Sequence, residues 1–124
     1  MRVLACDPGR NIGIALVSGD GELLNSTIVR EIELQHLELP QASHYVIGDG
    51  TGSGELSSLL KHKGIEPTPV DETGTSLEAR KLYFRDHPPG FLMRLVPFTL
   101  QLPPRPIDDY AAYAIALRFL AVGA

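Results

Sequence analysis

The chain has 124 residues, 44% of them apolar, and a formal net charge of −4, which suits a single domain over residues 1–124 with an ordinary core. No apolar run approaches the roughly 18 residues of a membrane span, and the N-terminus lacks a signal-peptide pattern, so a cytoplasmic protein with no membrane partner is expected. The single cysteine, Cys6, excludes an internal disulfide and reads as a buried structural thiol.

Val3 to Val17 form two short apolar runs around Asp7-Pro8-Gly9-Arg10-Asn11, which predicts a β-hairpin with Asp7 at the end of its first strand. The second strand, Ile12 to Ser18, is apolar on both faces, so Asp7 belongs to the middle of a sheet. A carboxylate at such a rim is costly unless turn amides or a positive charge meet it, and a divalent cation is the usual partner. Gly19-Asp20-Gly21 then turns the chain into a third strand, Glu22 to about Arg30. Residues 31–43 fit neither period and are expected to be a short helix or an extended connection, stopped by Pro40.

His44 to Asp49 reads as a fourth strand. Ser53 is placed to cap a helix carrying Leu56, Leu59, Leu60 and Lys63, which Gly64 ends. Ile65 to Asp71 can form a fifth strand, confined to a sheet edge by Pro67 and Pro69. Thr75 and Glu78 have capping-box spacing for a helix to about Arg85. Six of the ten prolines fall between Pro88 and Pro106, predicting a long stiff loop with one helical turn near Phe91 to Leu95. The chain closes with an alanine-rich helix from about Pro106 to Ala121, with Pro106 suited to its first position.

A three-stranded meander followed by alternating strands and helices predicts an α/β mixed sheet with helices on its faces. If the fourth strand lies beside the first, Asp7 and Asp49 end adjacent parallel strands about 4.8 Å apart, close enough for one cation. The glycine-rich segment Gly48 to Gly54 lacks the Lys-Ser or Lys-Thr pair of a phosphate-binding loop, and Leu60 stands where an EF-hand needs glutamate. The final helix begins with Asp108 and Asp109, which differ by about 100° around the helix, so one of them faces the strand ends. Charge is polarised: residues 1–79 sum to −7 and residues 80–124 to +3. Arg80, Lys81, Arg85, Arg94 and Arg105 lie in the basic part and can form a phosphate-facing surface, and bound divalent ions would offset the net negative charge.

Asp7-Pro8-Gly9, Ile12-Gly13-Ile14-Ala15, Val70-Asp71-Glu72-Thr73-Gly74-Thr75-Ser76-Leu77-Glu78-Ala79-Arg80, and Asp108 before an alanine-rich helix together resemble the RuvC/YqgF branch of the RNase H-like superfamily. The sequence is most similar to the YqgF group, described as Holliday junction resolvases and as nucleases that process pre-16S ribosomal RNA. That resemblance implies an RNase H-like fold with five strands in the order 3-2-1-4-5, strand 2 antiparallel. It also implies phosphodiester hydrolysis with Mg²⁺ or Mn²⁺, two ions in all, acting on branched DNA or precursor rRNA, with a homodimer compatible with junction resolution. Asp7 matches the first-strand ligand, Glu72 the glutamate of the group's Asp-Glu-Arg motif, and Asp108 the final-helix aspartate. Two positions depart from the group: Thr73 replaces the motif's arginine, and Gly48-Asp49-Gly50 stands where Gly-Leu-Pro is usual. Asp49 therefore competes with Glu72 as the middle ligand, and strand spacing favours Asp49, because Glu72 follows a strand two places from Asp7, about 10 Å away. Arg10, Arg80, Lys81 and Arg85 are the candidate nucleic-acid contacts, and Asp109 remains a candidate ligand beside Asp108. A second reading keeps the fold as a nucleic-acid or protein-binding module without catalysis.

Overall fold

In the computed structural model, which describes residues 1–122, strands β1 (Arg2–Asp7), β2 (Asn11–Ser18) and β3 (Leu23–Arg30) form the antiparallel meander. A single turn of helix, α1 (Glu31–Leu34), leads by an extended segment to β4 (His44–Gly48), which pairs parallel with β1. Helix α2 (Ser53–His62) returns the chain to β5 (Thr68–Val70), parallel to β4 at the sheet edge. Helix α3 (Thr75–Asp86), the short α4 (Phe91–Arg94), a 3₁₀ turn (Phe98–Leu100) and α5 (Asp108–Ala121) complete the order. The sheet runs β3-β2-β1-β4-β5, as expected.

Alternation along the central strands divides the core. Val3, Ala5, Ala15, Val17 and Val46 face α3 and α5, whereas Leu4, Cys6, Ile14, Leu16 and Ile47 face α1 and α2 with Leu34, Leu56 and Leu60. β2 is buried on both faces except at its ends. Cys6 is buried, which pushes its thiol up to about 12 and leaves it inert. On the α5 face small residues meet small residues, Ala5 and Ala15 lying in one cluster with Ala112 and Ala116. The approach is closest at Gly13, where an added Cβ would lie 1.8 Å from the Asp108 carbonyl oxygen.

Local expectations failed at the helix starts. Glycines, Gly52 and Gly74, occupy the N-cap positions of α2 and α3 in the left-handed region (φ 88° and 80°), and neither helix has a side-chain cap. Ser53 is therefore the first residue of α2 and not its cap. The Thr75–Glu78 capping box does not form either: the Thr75 hydroxyl donates to the Glu72 carbonyl at 2.8 Å, and Glu78 accepts from Arg118 at 2.7 Å. α5 begins at Asp108 with Ile107 as its cap, so Pro106 lies outside the helix. β5 is shorter than the sequence suggested. Among the described residues, no helix is long and apolar enough to cross a membrane.

Candidate functional site

The parallel β1/β4 register decides which acids can meet. Cys6 pairs with Ile47, so the next rung sets Asp7 beside Gly48 and leaves Asp49 one residue beyond. Residues 3 and 5 of β1 and residue 46 of β4 face α5; alternation puts Asp7 and Gly48 on that same face and starts Asp49 on the other. Asp49 is exposed, and its Oδ1 accepts a hydrogen bond from the Glu72 backbone N–H at 3.2 Å.

Glu72 covers the distance that strand spacing set against it. Val70 pairs with Gly48, and two residues further on, with the same facing, the Glu72 side chain folds back over β4. Its carboxylate occupies the space where side chains at Gly48 and Gly50 would stand: a Cβ at Gly48 would lie 2.5 Å from Oε2, and one at Gly50 1.4 Å from Oε1. The Glu72 carboxylate reaches hydrogen-bonding contact with Asp7. The geometric case for Asp49 over Glu72 is thus corrected: two glycines and the parity of the strands bring Glu72, not Asp49, to Asp7.

The turn that delivers Glu72 is tied at several points. The Asp49 backbone N–H donates to the Val70 carbonyl at 3.0 Å. Asp71 Oδ1 accepts from the Thr73 backbone N–H and hydroxyl at 3.0 and 2.8 Å. Arg118 Nη1 donates to the Asp71 carbonyl at 2.9 Å, while its Nη2 pairs with Glu78. Arg118, forty residues or more from both partners in sequence, carried no local signal that could have marked it.

Asp108 enters from the first turn of α5, held against β2 at Gly13. Asp7, Glu72 and Asp108 line one open cleft of about 510 Å³, together with Thr75, Ser76, Arg80 and two prolines, Pro103 and Pro106. Burial raises the Asp7 carboxyl to about 7, aided by the charges of Glu72 and Asp108 and the hydrogen bond with Glu72. Asp108 is also raised, first by burial and less by the neighbouring Asp109. Among the described residues, no three His, Cys, Asp or Glu side chains form a ready metal-ligand group; Asp7 and Glu72 touch, and Asp108 shares their cleft.

Asp109 is placed differently. It is buried, and its carboxylate accepts from Arg105 at 3.1 and 3.3 Å, from the Ser26 hydroxyl at 3.2 Å and from the Tyr110 backbone N–H at 3.0 Å. It pins the start of α5 to β3 and to the end of the proline-rich loop, while Asp108 takes the cleft. The candidate phosphate contacts also separate. Arg80 lines the cleft, donates to the Gln101 carbonyl at 3.2 Å and lies over the Phe98 ring. Lys81 is exposed on the same helix. Arg85 is engaged by Asp86 at 3.0 Å and by the Tyr113 hydroxyl at 3.4 Å. Arg10 borders a separate groove with Glu31 and Glu55.

The antiparallel meander joined to two parallel strands, with α3 and α5 on one face and α2 on the other, is the RNase H-like arrangement. Across its whole length the chain superposes on the Thermus thermophilus RuvC structure, covering 98% of that protein at a TM-score of 0.57 and 16% sequence identity; the likeness is one of fold. A ROK family protein from Streptococcus pneumoniae, solved in complex with sucrose, aligns over 71% of this chain and 39% of its own at a TM-score of 0.43 and 16% identity, too slight a likeness to say more. No protein-family profile matches the sequence, and no curated protein matches it.

Proposed function

We propose that this protein is a metal-dependent endonuclease that hydrolyses nucleic-acid phosphodiester bonds, with Asp7, Glu72 and Asp108 as its acidic centre. The observation that carries this reading is the contact between Asp7 and Glu72, two carboxyls from strands that are not neighbours, made in a cleft they share with Asp108. Carboxyls so placed repel one another unless a proton or a cation joins them. The donors are all oxygens, the set preferred by Mg²⁺ and Mn²⁺.

Asp7, on the most central strand, would hold the divalent ions together with Glu72 and Asp108. Bound divalent ions supply a Lewis acid for the phosphoryl oxygens and lower the pKa of water at the site. The chain itself supplies the rigid placement: Glu72 is held over two glycines, and Asp108 sits on a helix that cannot retreat from β2 without opening the core. Arg80 at the cleft and Lys81 beside it are positioned to hold flanking phosphates, which fix register without reading sequence.

Asp7→Asn should lower Mn²⁺-dependent cleavage by on the order of 100-fold or more while leaving circular dichroism unchanged. Full activity in that variant would overturn the proposal. Parallel assays on a four-way DNA junction and on precursor 16S rRNA, with the solution mass, decide between resolvase-like and rRNA-processing activity. Thr73, in place of an arginine at the motif, favours a second reading in which the fold binds nucleic acid or protein without cutting. A functional centre gains thermal stability on addition of Mn²⁺, whereas a degenerate one does not.

A further inference from the structure

We propose that Asp49 is a positioning residue for Glu72 and not a metal ligand; this rests on the reading of Glu72 as part of the acidic centre. Asp49 follows the last residue of β4, starts on the face opposite Asp7, and is exposed. What it holds is the backbone of Glu72, whose N–H it accepts through Oδ1 at 3.2 Å, while its own N–H donates to the Val70 carbonyl at 3.0 Å. The two bonds run in opposite directions between the ends of β4 and β5, so they continue the strand pairing past Gly48 and Val70 through a side chain. The parallel ladder itself stops at that rung, and without this clasp the residue that must cross β4 would leave a frayed strand end.

The need for a clasp follows from the length of β5. Only three residues of β5 pair with β4, so the ladder is too short to hold the chain beyond it by itself. On the far side of the turn, Arg118 holds the Asp71 carbonyl and Glu78, and the Thr75 hydroxyl holds the Glu72 carbonyl. The Asp71 carbonyl and the Glu72 N–H belong to one planar peptide group, so Arg118 grips it by its oxygen while the Asp49 carboxylate accepts its N–H. The flanking glycines complete the arrangement. Gly48 and Gly50 leave the space over β4 to the Glu72 carboxylate, and Asp49 between them anchors the same residue from the backbone side.

A ligand and a clasp make opposite demands on the side chain. A ligand needs the negative charge; a clasp needs an acceptor oxygen, which asparagine also provides. Amide exchange at Glu72, followed by NMR in metal-free protein, and Mn²⁺ affinity, followed by calorimetry, are therefore measured for wild type, Asp49→Asn and Asp49→Ala. Asp49→Asn is expected to keep Glu72 exchange and Mn²⁺ affinity within about threefold of wild type, because the acceptor remains. Asp49→Ala is expected to speed Glu72 exchange by about tenfold and weaken Mn²⁺ by about 10- to 100-fold, the scale on which supporting residues act at metal sites. Equal loss of Mn²⁺ affinity in both variants with Glu72 exchange unchanged would make Asp49 a ligand and overturn the proposal. Unchanged Glu72 exchange in Asp49→Ala would overturn it as well. If the wild-type protein binds no Mn²⁺, the nuclease reading fails, whereas the exchange measurements still decide whether Asp49 holds Glu72.

Discussion

At Asp7 the arrangement imposes a cost in the absence of metal. Burial and the neighbouring acids move its carboxyl from the ordinary 3.8 to about 7 in the folded chain. Between those values the folded protein holds a proton that the unfolded chain has released, so the stability associated with Asp7 is full below the lower value and is lost as pH rises through the higher one. Allowing for the solvent that reaches the cleft, the loss is on the order of 2 kcal/mol. Urea denaturation of metal-free protein is therefore expected to give a lower midpoint at pH 8 than at pH 5, and Asp7→Asn to flatten that difference. A midpoint independent of pH in the wild type would contradict the assigned coupling. The sequence carried Asp7 clearly, as a single acid ending a buried strand. It also held the means to separate Asp49 from Glu72, because residue parity in the fourth strand puts Gly48 and not Asp49 on the face of Asp7. Spacing between strands was the wrong measure, since the reach of a glutamate side chain and the empty volume over two glycines are invisible to it.

Among the elements, α5 and the β4–α2 turn place the acids by close approach, but with different tolerance. At Gly13 the obstacle to a side chain is backbone of the first turn of α5, with the Asp108 carbonyl oxygen 1.8 Å from the added Cβ. At Gly50 it is the free end of Glu72, 1.4 Å away. Gly13→Ala must therefore push the helix off the sheet, and it should lower stability by about 3 kcal/mol, the upper part of the range for overpacking. Gly50→Ala should turn Glu72 aside with little loss of stability, yet weaken Mn²⁺ binding about tenfold or more. Thermal melts and Mn²⁺ titrations of the two variants separate these effects, and a Gly13→Ala protein as stable as wild type would disprove the packing account. Element order and strand edges were legible in hydrophobic pattern and in the placement of proline. Helix starts were not: Ser53 and Thr75 have capping chemistry, but the preceding Gly52 and Gly74 adopt φ values that only glycine takes easily, and they set the boundary one residue earlier.

For the molecule as a whole, the charge division seen in the sequence is thinned by internal pairing. Arg85 and Arg105 lie in the basic part, but Asp86 and Asp109 take up their guanidinium groups. Lys81 is exposed on α3, next to Arg80 at the cleft. If the acidic cleft grips nucleic acid through cations, binding should need Mg²⁺ or Mn²⁺ and weaken with added monovalent salt. Lys81→Ala is expected to reduce the slope of log affinity against log salt by about one, and Arg85→Ala to change it much less. Equal effects of the two substitutions would show that the ion pair with Asp86 does not hold when nucleic acid is bound. The edge strand has a consequence at this scale too. Thr68 and Val70 turn their peptide groups toward β4, so Pro69 turns its own outward. At the centre of that outer edge there is a carbonyl but no amide. An incoming strand would find no donor there, so the sheet is closed to growth on the side that carries Glu72. Two copies of the protein could not join their sheets through this edge and would have to meet through β3, the helices or the loops.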